Sequence, residues 1–323
     1  GTTGSPKFVR LSYSNVVSNT EKIINYLRIK HKDITITSLP ISYVYGLSVI
    51  NSHLLSGATI ALTNKSMIEK KFWKIIKECK ITNFSGVPYN YLIIEKIIKQ
   101  SFPKSIKYTT QAGGKMDHRL IKNIIKIYKK RKIKLIQMYG AAEATARMSY
   151  LKWNYAEKKI GSIGKPIPGG KFYIIDKNKR KIKKKFRKGE LVYEGKNVFM
   201  GYAKNLKDLA LPDLNKGILK TGDIAYEDKD GFFYIVGRKN RYVKIFGIRL
   251  NLSELEAILL EKGIDVTTRE GGENKINIYF KNPSQADKGL KYISKITSIN
   301  QNVFVNRKIT NKNLTANFKY KIK

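Results

Sequence analysis

Cysteine is nearly missing from this 323-residue chain: Cys79 stands alone, which excludes an intrachain disulfide framework and any cysteine-based metal cluster. Histidine is almost as scarce. His31, His53 and His118 lie far apart and without ligand spacing, so no zinc site is expected. Acidic residues are also few, 24 Asp and Glu against 64 Lys and Arg, for a formal net charge of +40. A balance this basic invites a nucleic-acid reading. No arginine-rich arm, zinc-finger spacing or aromatic RNA-binding signature accompanies it, and the lysines are spread along the whole length among many Ile, Asn and Tyr. Those residues share A/T-rich codons, so composition alone accounts for the charge. Specific nucleic-acid binding is not expected, whereas anionic small molecules or an acidic protein would feel the same field. No basic-then-apolar leader is visible from Gly1 onward, and a cytoplasmic location is expected.

Long apolar runs are also rare. The stretch from Ile34 to Asn64 carries no charge and is long enough to span a bilayer. It contains Pro40, Asn51, His53 and several serines, however, and divides into ITITSLP, GLSVINSHLLSG and ATIAL. That pattern predicts strand, helix and strand, each short and buried on both sides, and no membrane span.

What is present is enough for a core, with 42% hydrophobic residues and a length that suggests two folded units. From Leu11 to Tyr139 helix-like and strand-like segments alternate. Ser14 to Ile29 and Trp73 to Lys77 read as helices, and ITNFSGVP and IKLIQMYG as strands. In DHRLIKNIIKIYKKRK, the apolar residues Leu120, Ile121, Ile124, Ile125 and Tyr128 form a helical stripe with lysines opposite. The alternation predicts an α/β fold with a doubly wound, parallel sheet. After Lys159 the runs GSIGKPIPGGKFYIID, GELVYEG and GFFYIVGR predict antiparallel strands in a small β-barrel-like subdomain, with KRKIKKKFRK (179–188) as a solvated turn. A small α+β C-terminal domain is expected from residue 239. Asn251 and Glu254 signal a helix start there, followed by strand-like KINIYFK, a helix after Pro283 and strand-like NVFVNRKI. The expected organisation is therefore a large domain, 1–238, split into an α/β part (1–160) and a β-rich part (161–238), and a second domain, 239–323.

The opening GTTGSPK is a glycine- and threonine-rich loop ending in lysine. Its glycines would let backbone N–H groups approach phosphate, its threonines add hydroxyl donors, and Lys7 adds charge. It is not the GxxxxGK[ST] loop, because the lysine follows a proline and no strand precedes it.

Taken in order, GTTGSPK, QAGGKM, MYGAAEAT, LKTGD, GRKNRYVKIFGIRLNLSELE and LTANFK resemble the motifs of the superfamily of acyl-CoA synthetases, luciferases and peptide-synthetase adenylation domains. The resemblance spans essentially the whole chain. It implies an AMP-forming acid–thiol ligase that converts a small carboxylic acid to an acyl-adenylate and then a thioester. It implies ATP, Mg²⁺, and coenzyme A or the phosphopantetheine of an acidic acyl carrier protein. The first loop would grip the β- and γ-phosphates through Thr2, Thr3, Gly4 and Lys7. Gly113 and Gly114 would pass the adenine, Tyr139 would stack on it, and Gly140 follows in the same motif. Glu143 would hold Mg²⁺ near the phosphates. Asp223 and Arg238 would bind the ribose, where a carboxylate can accept both O–H bonds. Lys319 would bridge the attacking carboxylate and the α-phosphate, as the catalytic lysine. Gly237 to Gly247, including Lys244, resembles the hinge on which a mobile C-terminal domain turns between the two half-reactions; Gly247 would leave room for a pantetheine arm.

Three positions depart from the family pattern: Ala142 stands where threonine is usual, Arg241 where the hinge carries aspartate, and Phe318 where glycine precedes the catalytic lysine. The family also carries a sizeable portion of the large domain ahead of the phosphate loop. The chain therefore reads as N-terminally incomplete, and weak acid-dependent ATP–pyrophosphate exchange is expected of these residues alone. PISYVYGLSVI lacks the aspartate that amino-acid-activating relatives use, and its uncharged surroundings favour an apolar or aromatic acid. CoA is the first acceptor to consider and a carrier protein the second. A decayed fragment acting only as a binding module is the alternative.

Overall fold

The structure, a computed structural model, describes residues 8–98, 102–238, 242–246 and 248–307. These fall into two compact units, with Val9–Gly237 making up one and Arg238 onward most of the other.

The larger unit begins with β1 (Phe8–Arg10) and α1 (Tyr13–Leu27). The Ser12 hydroxyl accepts from the Asn15 amide, and the Asn15 side chain answers by accepting from the Ser12 N–H, which fixes the start of α1. Then β2 (Ile34–Ile36), α2 (Val44–Leu55) and β3 (Thr59–Ala61) divide the charge-free stretch as its pattern predicts. Among the described residues no helix is long and apolar enough to cross a membrane. The alternation continues through α3 (Lys70–Glu78), β4 (Asn83–Gly86), α4 (Pro88–Ile97), β5 (Tyr108–Gln111), α5 (His118–Lys130) and β6 (Lys134–Tyr139). β7 (Ser149–Leu151) and β8 (Lys165–Pro166) complete a seven-stranded sheet ordered β3-β2-β4-β5-β6-β7-β8. It is parallel from β3 to β6 and antiparallel beyond.

Helices cover both faces of this sheet. On one face, α3, α4 and α5 bury Phe72, Trp73, Ile76, Tyr91, Ile94 and the whole predicted α5 stripe against Phe84 and Leu135. On the other, Tyr45 and Val49 of α2, with Tyr26 and Leu27 of α1, pack on Tyr108, Ile136 and Met138. Successive residues of a strand point to opposite faces, so β5 ties both layers to the sheet. Thr109 accepts from Tyr91 at 2.9 Å and donates to Tyr128 at 3.2 Å, while Thr110 on the opposite face meets the Tyr45 hydroxyl at 2.8 Å.

The β-rich part of this unit comprises β9 (Lys171–Ile175), β10 (Gly189–Glu194), β11 (Gly201–Ala203), β12 (Ile218–Glu227) and β13 (Phe233–Arg238). Four of them form an open sheet ordered β13-β12-β10-β9, and β11 pairs with β1. The lysine-rich run 179–188 between β9 and β10 is exposed apart from Ile182. Nothing in its residue pattern marks Ile218–Glu227 as a strand: Lys, Thr, Gly and Asp interrupt it, and pairing with β10 on one side and β13 on the other holds it extended.

The second unit has β14 (Tyr242–Ile245) paired with β15 (Ile248–Asn251), then α6 (Leu252–Glu261), β16 (Val266–Glu270), β17 (Ile276–Phe280), α7 (Ala286–Thr297) and β18 (Phe304–Asn306). The last three strands form one sheet, and Leu255, Leu259, Ile278, Leu290, Ile293 and Phe304 share its core.

Candidate active site

Ligands of open α/β sheets bind outside the carboxyl ends of the strands. At the end of β5 the chain passes through Gly113 and Gly114, both exposed. The Gln111 amide holds this turn by donating to the Gly114 carbonyl at 2.9 Å. Gly113 has φ +79°, and a Cβ there would stand 2.4 Å from the Tyr43 hydroxyl, so only glycine fits.

The end of β6 carries the densest set of constraints. Tyr139 is followed by Gly140, where a Cβ would fall 1.7 Å from the Ala146 carbonyl oxygen. Between them the chain folds on itself in a one-turn 3₁₀ helix, Ala142–Ala144. Amides of Ala144 and Ala146 donate to the Ala141 carbonyl at 3.0 and 3.2 Å, and Met148 to Tyr139 at 2.9 Å. Thr145 and Ala146 both take positive φ, 53° and 96°, which is strained for residues with a Cβ. The buried Asn197 side chain holds that conformation, donating to Ala144 at 2.7 Å and Arg147 at 2.9 Å, while Asn19 donates to Arg147 at 2.8 Å.

This loop sends three side chains in different directions. The Tyr139 hydroxyl donates to Asp223 Oδ2. The Glu143 carboxylate, half-buried, accepts from Tyr202 at 2.7 Å. Arg147 turns inward, 3% exposed, with its guanidinium 3.9 Å above the Tyr45 ring.

Asp223 owes its position to a bulge. Glu190 pairs with Ile224 and Val192 with Lys220, so Thr221–Asp223 bow out opposite Leu191. Gly222 at φ +69° allows the bow, and the Thr221 hydroxyl fixes it by donating to Leu191 at 2.8 Å and accepting from the Asp223 amide at 3.1 Å. The Asp223 carboxylate ends up 2% exposed beside Tyr139.

The remaining expected site residues are dispersed or not described. Arg238 closes β13 and Lys244 lies on β14, both exposed. Thr2, Thr3, Gly4, Lys7, Gly247 and Lys319 lie outside the described residues, as do the variant positions Arg241 and Phe318. Sequence reasoning missed Tyr202 and Arg147. Nor are the surroundings of PISYVYG uncharged in space, because the fold brings Arg147 onto Tyr45.

These residues fit a nucleotide and its metal in their chemistry. Asp223 supplies acceptors for vicinal hydroxyls, and the Gly113–Gly114 backbone is exposed. Among the described residues no cluster of His, Cys, Asp and Glu could hold a metal by itself. Glu143 could instead supply a single hard oxygen ligand, the kind a Mg²⁺ site completed by phosphates and water would use.

Comparisons with known proteins bear on the family and the fold. The sequence profile of "AMP-binding enzyme" matches residues 1–203. The chain is 27% identical to 4-coumarate--CoA ligase-like 6 of Arabidopsis thaliana over 80% of its length and 47% of that protein's. It is 28% identical to 2-succinylbenzoate--CoA ligase of Bacillus licheniformis, covering 83% of this chain and 56% of the relative. The chain thus spans about half the length of the curated relatives it matches. A double mutant of o-succinylbenzoate CoA synthetase from Bacillus subtilis bound to a product analogue superimposes with a TM-score of 0.72 at 22% identity, over 95% of this chain and 63% of that one. The same enzyme in complex with ATP and magnesium ion gives 0.65 at 22%, over 95% and 64%. At that identity the likeness establishes the fold: an α/β sheet, a β-rich subdomain and a small α+β unit. With the profile covering well over half of its residues, the chain belongs to the AMP-binding enzyme family.

Proposed function

We propose that this chain carries the nucleotide-binding portion and the small C-terminal domain of an ATP-dependent carboxylic acid:CoA ligase that works through an acyl-adenylate. The acid's carboxylate would displace pyrophosphate from the α-phosphate of ATP, and a thiol would then displace AMP to leave a thioester. In this reading Asp223 accepts from the ribose hydroxyls with Tyr139 as its neighbour, Gly113 and Gly114 line the adenine, and Glu143 carries Mg²⁺. Arg238 and Lys244 contribute from the ends of β13 and β14. Thr2, Thr3, Gly4, Lys7, Gly247 and Lys319 hold the phosphates, the thiol path and the catalytic cation as the motifs imply. Residues 1–238 act as the nucleotide-binding large domain and 239–323 as the domain that changes position between the half-reactions. The acceptor is CoA, and the location cytoplasmic.

The observation that carries the reading is the Tyr139–Asp223 pair: two residues far apart in sequence meet at the carboxyl end of β6 by way of a bulge in β12. Nucleotide binding tests it. Asp223→Asn keeps an acceptor for Tyr139 but removes the charge, and should weaken AMP binding about 10- to 100-fold by calorimetry, as expected for loss of charge-assisted hydrogen bonds. Unchanged AMP affinity would remove Asp223 from the site, and no AMP binding by the parent chain would remove the function.

A further inference from the structure

The lysine-rich run between β9 and β10 is denser than composition accounts for. Nine of the twelve residues 177–188 are Lys or Arg, against 64 of 323 in the whole chain, and none is acidic. A/T-rich codons would bring Asn, Ile and Tyr along with lysine, yet this run holds one Asn, one Ile and no Tyr. The loop is also tied down. The Asp176 carboxylate accepts from the amides of Asn178 and Arg180 at 2.8 and 3.0 Å. The Ile182 amide donates to the Ile174 carbonyl and the Phe186 amide to the Glu227 carbonyl, each at 2.8 Å. Lys185 pairs with Glu227, and Lys181 lies over the Tyr173 ring. Among the described residues Lys183, Lys184, Arg187 and Lys188 meet no carboxylate, and all four are exposed. Like charges held on one short loop repel one another, and an anionic partner relieves that.

An apolar patch accompanies the charge. Phe186, 58% exposed, sits inside the basic run at φ +61°, a left-handed conformation that is costly for an aromatic residue. Its ring lies 6.0 Å from that of Tyr226, which stacks on Tyr234 at 5.0 Å and 8°. Val236, two residues further along β13 and so on the same face as Tyr234, is exposed as well. The chemistry of the cations narrows the partner. Seven of the nine are lysine, a point charge toward phosphate, and not the planar fork of arginine that reads base edges. Rings set among lysines suit the headgroup layer of a bilayer, where the apolar body sinks and the ammonium groups stay in water.

We infer that the β9–β10 connection docks the chain on a bilayer surface rich in anionic lipid. Lys183, Lys184, Arg187 and Lys188 lie against the headgroups, and Phe186 enters at the level of the upper acyl chains. The inference stands whether or not the ligase reading does. Every residue it uses belongs to the 9–237 unit, so it needs no particular arrangement of the two units.

Co-sedimentation of the full chain with vesicles tests it. The chain should bind phosphatidylcholine vesicles containing about one-third phosphatidylserine, and should not bind phosphatidylcholine alone. A net charge of +40 could draw any face to such a surface, so two matched triple variants decide the matter. Lys183→Gln, Lys184→Gln and Lys188→Gln together should weaken binding roughly 100-fold, about fivefold for each charge. Lys122→Gln, Lys126→Gln and Lys130→Gln, at exposed positions of α5, remove the same charge and should change binding less than about threefold. Phe186→Asn, which suits the left-handed backbone, should weaken it about tenfold. The urea midpoint of tryptophan fluorescence, unchanged from the parent, is the folding control for all three. No binding to the anionic vesicles, equal losses in the two triple variants, or full binding by Phe186→Asn would overturn the inference. So would tighter binding to a single-stranded oligonucleotide than to vesicles, lost with the 183, 184 and 188 changes, because the loop would then be a nucleic-acid surface.

Discussion

Replacing Gly140 with alanine should break the loop that organises the site. The added Cβ would sit 1.7 Å from the Ala146 carbonyl oxygen, 2.7 Å from its carbon and 3.0 Å from the Arg147 Cα. Real contacts of this kind begin near 3.2 Å, so the two chain segments must part by roughly 1.5 Å. Nothing flexible can give way, because every atom met is backbone. Separation of that size breaks the bonds that hold the turn, Ala146 to Ala141 at 3.2 Å and Met148 to Tyr139 at 2.9 Å. It also strains the two Asn197 bonds to Ala144 and Arg147. At about 1 kcal/mol net for each hydrogen bond, loss of two to four gives a destabilisation of about 2–4 kcal/mol. The assay is urea unfolding followed by tryptophan fluorescence. Both tryptophans, Trp73 and Trp153, lie in the 9–237 unit, so the signal reports that unit alone. Gly237→Ala is the control: a Cβ there meets nothing within 4 Å, and its stability should stay within about 0.5 kcal/mol of the parent. If Gly140→Ala unfolds at the same urea concentration as Gly237→Ala and binds AMP as the parent does, the steric reasoning is wrong.

Two pH dependences follow from buried groups in the same unit. Burial alone would raise the Asp228 carboxyl, but Lys159 at 2.6 Å and the amides of Asp230 and Phe232 overcome it and hold it below the ordinary range. Its ionised form therefore contributes stability that is present above about pH 4 and lost as pH falls through the lower folded value. Asp228→Asn should flatten that acid limb in urea midpoints measured from pH 5 downward, and an unchanged limb would refute the assignment. His53, 2% exposed, is held neutral chiefly by burial, which lowers its pKa despite the Val49 carbonyl at 2.8 Å from Nδ1. Stability should accordingly fall as pH drops below about 6.5, where only the unfolded chain takes up the proton. His53→Gln should remove that slope, and a slope that persists would mean another group titrates.

Local pattern was enough wherever one residue's neighbours in sequence decide its surroundings. The α5 stripe from Leu120 to Tyr128 and the division of residues 34–64 at Pro40 and Gly57 were legible because periodicity and turn residues act over a few positions. β12 was not, since its extended form comes from pairing with β10 and β13 and its sequence has to accommodate a bulge at Gly222. The motif residues Gly113, Tyr139, Glu143 and Asp223 stood out by their order along the chain. The contact of Tyr139 with Asp223 did not, because it depends on how far that bulge throws the carboxylate. Arg147 was the least legible of all. One more basic residue among 64 carries no signal, and only the fold shows that this one is buried against Tyr45 with its Nε unmet.

The loop from Gly140 to Met148 explains why such a residue can exist. A buried cation and an outward-facing carboxylate four residues apart would share one face of a continuing helix, Glu143 and Arg147 lying one turn apart. The left-handed pair Thr145 and Ala146 prevents that: it ends the 3₁₀ turn and reverses the chain, so that Glu143 stays at the surface with Tyr202 while Arg147 enters the tyrosine cluster. Strain at two residues with a Cβ thus separates the Glu143 carboxylate from the Arg147 guanidinium within a single short segment, held there by Asn19 and Asn197. Relieving the strain with glycine at position 146 would favour the left-handed turn and keep the separation, whereas removing Asn197 would let the segment relax toward helix and pull Arg147 off Tyr45. The two-sided character of the site is therefore a property of the backbone, and the side chains exploit it.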